Sequence, residues 1–392
     1  MIAGVMKAYT FLVSCLACVV VSSSPAAVKE WTGNASGFWS NPNNWNPPGA
    51  PAADESLNFS ADANSVMIND VPNLSVRELV FERDYILSGN PITLLGSSNN
   101  FARIRITEHG GSVTINCALV LANQCIFHCE PLREDGSGKL RINAGVNLSG
   151  FDLSLVSFPG GAGASAVIEF AGSISGNGNV TISPSHPDRG KIEFVGSAEN
   201  AFTGTMRVSS SGSLPDEGVY SNKQSGSVVL YRLELDDGVT VDVQRPHQIG
   251  DGATVCVSGG SRLLFHGNTE TIGNLCLTNR RSDTVPSLVD TGGSTLSVLG
   301  DIIAVNNATN VVPTIRGKLG LPGPVAAAAA RSTRNAGFQP VSPTSSRHAP
   351  GNSSASGTFE AHAGWKPAIR QTGGLRYASG GVTPPTNQRP PK

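Results

Sequence analysis

Between Gly172 and Leu214 the chain reads GSISGNGNVTISPSHPDRGKIEFVGSAENAFTGTMRVSSSGSL. Short β-branched runs, Val180-Thr181-Ile182, Lys191-Ile192-Glu193-Phe194-Val195 and Thr205-Met206-Arg207-Val208, are divided by Gly, Asn and Ser. Each run is long enough for one short strand and too short for a helix. A strand this brief cannot bury a face alone, so it must stack on copies of itself, as the units of repeat solenoids do. No reacting group stands out in the stretch.

The same beat extends in both directions. Towards the N-terminus it includes Ser56-Leu57-Asn58-Phe59, Val66-Met67-Ile68 and Glu78-Leu79-Val80-Phe81; towards the C-terminus, Thr254-Val255-Cys256-Val257 and Asp301-Ile302-Ile303-Ala304-Val305. Strand-sized pieces recur roughly every eight to twelve residues with Asn, Asp, Gly or Pro between them. No window keeps a helical apolar period through three turns, so helices should be scarce. With Gly 45, Pro 25 and aromatics at 6% in 392 residues, the composition suits an all-β chain full of turns. The net charge of −1 hides an asymmetry: residues 316–392 hold 10 Lys/Arg against one Glu, while the part before them is acidic.

The opening stretch resembles the autotransporter-associated β-strand repeat of bacterial surface proteins. The matching residues are Gly176, Gly178 and Asn179, then Gly190 to Phe194, Asn200-Ala201-Phe202-Thr203-Gly204-Thr205, Val208 and Gly212-Ser213-Leu214. Phe202 stands where that family usually has Tyr, a swap that keeps the ring. Gln248-Ile249-Gly250-Asp251 and Asn268 to Leu275 are similar to later coils of the family. A W-x-G…W…NW…P opening is carried by Trp31, Gly33, Trp39, Asn44, Trp45 and Pro51. The resemblance covers most of Trp31 to Val305. It implies a right-handed parallel β-helix, carried by a secreted passenger protein.

Domain organisation follows. Met1 to Ala27 has Lys7, an apolar run from Phe11 to Val21 and small residues after it, which reads as a signal peptide over 1–27. The run is too short for a permanent span, so no transmembrane segment is expected after cleavage. Leu12-Val13-Ser14-Cys15 resembles a lipobox, but the apolar run continues past Cys15, which favours ordinary cleavage. Residues 28–315 form the β-solenoid repeat domain, with 28–55 as its N-terminal Trp-rich cap. Residues 316–392, dominated by Pro, Gly, Ala and Ser, read as a disordered basic tail. A basic arm for an anionic polymer is the sharper reading of that tail, and a plain linker the simpler one. Relatives of the resembled family usually end in a barrel or a sorting helix, and neither pattern is present here.

Three of the four tryptophans lie between Trp31 and Pro51. Trp39 and Trp45 are the candidate carbohydrate contacts, because indole faces stack on sugar rings. The simpler reading is a lid over the first coil, whose core and hydrogen-bonding edge would otherwise be open. Cys125-Ile126-Phe127-His128-Cys129 invites a metal reading, yet alternation puts His128 on the face opposite the cysteines, and no second ligand pair follows. A disulfide among Cys117, Cys125 and Cys129 is open in an oxidising compartment. Gly161-Ala162-Gly163-Ala164-Ser165-Ala166 fits a loose dinucleotide fingerprint, but a β-branched run follows where that fingerprint needs a helix. The acidic pairs Asp236 with Asp237 and Glu193 near Glu199 are weighed as general acid and base for glycan cleavage; solvated turn acids explain them more simply.

The expected function is a secreted or cell-surface structural and adhesive β-solenoid of the passenger type, with no catalysis, cofactor or metal. The periplasm is the other compartment the signal allows. The expected partner is a cell-surface or extracellular polysaccharide, and no nucleic acid. The alternative is a polysaccharide-binding or polysaccharide-degrading β-helix.

Overall fold

A computed structural model describes residues 27–61, 64–96, 101–107, 111–131, 136–160, 163–185, 189–210 and 218–322, and the backbone of 359–360, 369–372 and 376–378. Parallel strands stack in about ten turns of a β-solenoid. One stack runs from Val28–Trp31 through Cys125–Cys129 and Val180–Pro184 to Ile302–Asn306. A second runs from Val66–Asn69 through Gly190–Phe194 to Thr314–Gly320. Short third strands such as Ile92–Leu94, Leu119–Leu121 and Ile174–Gly176 complete the middle coils. Three strands per coil account for the short beat in the sequence. Among the described residues the one helical element is a single 3-10 turn, Pro42–Asn44.

Strict alternation makes the core. Cys125–Cys129, Leu153–Ser157 and Val180–Pro184 each send their first, third and fifth residues inward and the second and fourth outward. The register keeps inward residues in columns: Leu155 lies on Phe127 and Ile182 on Leu155. Phe170 and Phe194 are register partners whose rings stack at 5.7 Å, and Phe127 extends the column with a centroid 6.1 Å from Phe170. Each such buried side chain contributes about 1.5–3 kcal/mol over leaving it in water.

The length of a coil varies while its register does not. Leu153 pairs with Val180 27 residues on, but Val255 pairs with Leu275 only 20 residues on. The turns absorb the difference. Where turns from successive coils touch, glycine is required. At Gly204 a Cβ would stand 2.0 Å from the Gly178 carbonyl oxygen, and Gly176 holds φ +90°, a region other residues rarely enter.

The solenoid outlasts the expected boundary. Position 315 falls inside the strand Thr314–Gly320, whose Ile315 is buried and whose Leu319 packs on the core. Gly317 and the charged Arg316 and Lys318 break the apolar pattern there, and the composition shift therefore misplaces the edge. The backbone of Ile369–Thr372 pairs with Ile302–Asn306, and that of Arg376–Ala378 with Thr314–Gly320. The signal peptide, Ala27 apart, and the expected disorder of the rest of the tail lie outside the described residues.

Gly204→Ala should lower stability by about 1–3 kcal/mol, since a backbone oxygen has no room to yield. Gly252→Ala, where an added Cβ meets nothing within 4 Å, should stay within about 0.5 kcal/mol. Urea midpoints of the two variants against the parent check the contrast.

Candidate functional site

The N-terminal tryptophans converge on the end of the core. Val28–Trp31 pairs in parallel with Glu55–Phe59 on one side, and on the other Trp45–Asn46 returns antiparallel, placing Trp31 opposite Trp45. The reversed strand closes the hydrogen-bonding edge of the first coil. Asn44, fully buried, organises the turn: its Oδ1 accepts the N–H groups of Ala35 and Ser36 at 2.8 and 2.9 Å, and its Nδ2 donates to the Phe38 carbonyl at 2.8 Å. Trp45 packs edge-on against Trp31 at 5.0 Å and Trp39 at 5.7 Å, and Trp39 stacks on Phe59, which stacks on Phe81. Trp45 also donates from Nε1 to the Trp39 carbonyl at 2.9 Å.

Trp39 and Trp45 are 0% and 2% exposed. Their ring faces are spent on each other and on Phe59, so the carbohydrate platform proposed for them is corrected: the pair plugs the core. The misreading arose because a rigid aromatic-rich turn looks the same in sequence whether its rings point in or out.

The structure places the remaining candidates as follows. Cys125 and Cys129 face inward and His128 outward, with its Nε2 3.5 Å from Glu130; burial lowers the imidazole pKa, which Glu130 partly offsets. No cluster of three metal-ligating side chains occurs among the described residues. Cys117, Cys125 and Cys129 are buried free thiols. The latter two stand four residues apart on one strand, about 13 Å, beyond disulfide reach. The strand Ser165–Phe170 follows the glycine-rich loop, as the β-branched run there implies.

The acidic pairs resolve into charge pairs. Asp236 and Asp237 do converge, because Asp237 adopts φ +60° and rotates the turn, and both carboxylates meet Arg280. Glu193 does not meet Glu199 as a pair: in register it lies directly on Glu169, whose carboxylate binds Lys139 at 2.7 Å and Arg141 at 2.5 Å. Glu199 accepts from the Ser227 N–H at 3.4 Å.

Sequence reasoning missed a line of buried polar side chains at one corner of the coils. Asn200 accepts the Ile174 N–H at 3.0 Å from the coil before and donates to the Val228 carbonyl at 3.0 Å in the coil after. Gln248 Oε1 accepts the Lys223 N–H at 2.8 Å, and the two oxygens of Glu270 accept from Gln248 and Ile249 at 3.1 Å each. Lys223 is itself fully buried, its Nζ donating to the carbonyls of Gly172 and Ala198. Burial pushes that ammonium down to about 8, against the pull of Glu199. Burial likewise pushes Glu270 up to about 7, against the backbone donors that favour its charged form. The signal was available: Asn200, Gln248 and Glu270 all stand inside the motif segments quoted above.

No family model, curated protein or solved structure matches the chain.

Two measurements test these assignments. Trp45→Ala should cost about 3–5 kcal/mol of stability and Trp45→Phe less, by denaturant titration, because the ring fills the end of the core; an exposed sugar platform would leave stability unchanged. For Glu270 the folded value lies above the ordinary 4.5, so its contribution is complete below 4.5 and is lost as pH rises through about 7. The loss is on the order of 3 kcal/mol. Unfolding midpoints between pH 4 and 8 should slope down for the parent and lose that slope in Glu270→Gln.

Proposed function

We propose that the chain is a secreted or cell-surface scaffold of the autotransporter passenger type, whose solenoid serves as a rigid spacer and adhesive surface without catalysis. The observation that carries this reading is the correspondence between the motif and the corner. The residues that resemble the family repeat, Asn200, Gln248 and Glu270, are those that tie each coil to the backbone of its neighbour. The resemblance thus lies in the residues that build the stack. About ten turns at ~4.8 Å each make a rod of roughly 50 Å, a useful length for holding a surface away from a cell. The apolar run at Phe11 to Val21 supplies the export signal.

A polysaccharide partner would contact the outer strand faces, where side chains repeat at the coil spacing. The reading as a polysaccharide-degrading enzyme has less support: Asp236 and Asp237 share one arginine, and the tryptophans are buried.

Fractionation of the native cells with mass measurement of the mature chain tests the proposal. The expected result is an extracellular or surface-bound protein beginning at Ala27 or Val28. An intact N-terminus on intracellular protein overturns the exported role, and release of unsaturated uronates from acidic polysaccharide overturns the non-catalytic one.

A further inference from the structure

The coils at the C-terminal side of the solenoid are the shortest, and one consequence is chemical. Cys256 and Cys276 are separated by one 20-residue turn and fall directly opposite each other in the parallel pairing of Thr254–Ser258 with Asn274–Asn279. Both occupy outward positions in their strands and both are half-buried free thiols, unlike the buried Cys117, Cys125 and Cys129. Neighbouring parallel strands hold opposed residues about 4.8 Å apart, inside the Cα separation of about 4.4–6.8 Å that a disulfide accepts. The thiols already touch, Cys256 donating to Cys276.

The surroundings favour a thiolate on one member. Arg232, one coil earlier, reaches Cys256 Sγ with its Nη2 at 3.7 Å. Its Nε binds Glu234 at 2.6 Å, and Glu234, in register beneath Cys256, also holds Arg207 at 2.7 Å. The thiol of Cys256, by donating to Cys276, brings Cys276 down to about 7 against the effect of burial; Cys256 is held up by the same contact, since it would ionise beside an existing negative charge. By contrast, burial holds Cys117 and Cys129 up to about 12. A vicinal pair with one nucleophile and one waiting donor is the arrangement that thiol–disulfide exchange needs.

We propose that Cys256 and Cys276 form an oxidisable dithiol on the outer face of the solenoid, closed by exchange with low-molecular-weight disulfides into a bond that staples two adjacent coils. The thiolate of Cys276 attacks one sulfur of the small disulfide RS–SR, expelling RS⁻ and leaving a mixed disulfide on Cys276. Cys256 gives up its proton and attacks the Cys276 sulfur, expelling the second RS⁻. Two protein thiols become one disulfide, and the two electrons and two protons leave as two RSH. The closure uses the existing register, so the coils need not move apart or slide.

The test treats the full chain with oxidised glutathione and maps the peptides. The expected product has lost two hydrogens and links Cys256 to Cys276, while Cys117, Cys125 and Cys129 alkylate only after denaturation. Cys256→Ser should trap glutathione on Cys276, and Cys276→Ser should react at Cys256 about tenfold more slowly, following the lower thiolate fraction. An unchanged thiol content, links through the inward cysteines, or a lasting glutathione adduct on Cys276 in the parent overturns the proposal. Far-ultraviolet circular dichroism of both serine variants, expected to match the parent, distinguishes a chemical loss from misfolding.

Discussion

Every coil of this solenoid satisfies its backbone on the coil before and the coil after, and the rest of the structure follows from that constraint. Because the ladder runs along the long axis, opposed residues are fixed in register, and whatever sits at one position sits directly on its counterpart one turn later. Inside, this yields columns of Leu, Ile, Val and Phe, such as Phe170 on Phe194. At the corners, where the chain turns and its N–H groups leave the ladder, Asn200, Gln248 and Glu270 restore the missing partners from within the core. At the N-terminal end, where no earlier coil exists, Trp45–Asn46 closes the edge and the indoles close the core.

The same constraint governs charge on the outside. Stacked like charges would sit at strand spacing along the whole rod, a repulsive arrangement. The surface instead pairs opposite signs across coils: Arg77 with Asp54, Arg207 with Glu234, and Arg280 with Asp236 and Asp237. Where register forces Glu193 onto Glu169, Lys139 and Arg141 from a neighbouring coil neutralise the latter. Exposed pairs of this kind add little stability each. Their effect is on register, because sliding one coil by a residue would move each charge away from its partner.

The all-β class and the inward faces were legible because alternation is a local signal: Cys125, Phe127 and Cys129 inward and His128 outward follows from period two alone. Contacts across coils were not, because they depend on coil length, and the turns hide that length. Glu193 was therefore weighed against Glu199, its neighbour in sequence, while its true neighbour Glu169 lies a whole turn back. The convergence of Asp236 with Asp237 depended on a left-handed residue that no side-chain pattern announces. The tryptophan block was legible as a rigid aromatic turn, but the direction of its rings was set by the open end of the core beneath it. Cys256 and Cys276 were visible as letters, and only the 20-residue register made them partners.

The unequal coils also say something about how such a chain can change. Between Leu153 and Val180 the turn of the helix takes 27 residues, and between Val255 and Leu275 it takes 20, yet the strands that meet are aligned alike. Surplus residues are therefore housed in bends that project from the rod and leave the ladder undisturbed. Insertions and deletions there alter the outline presented to the outside while the stacked interior persists, since loop lengthening costs only slowly growing entropy. Surface diversification and structural integrity are thereby uncoupled within a single polypeptide.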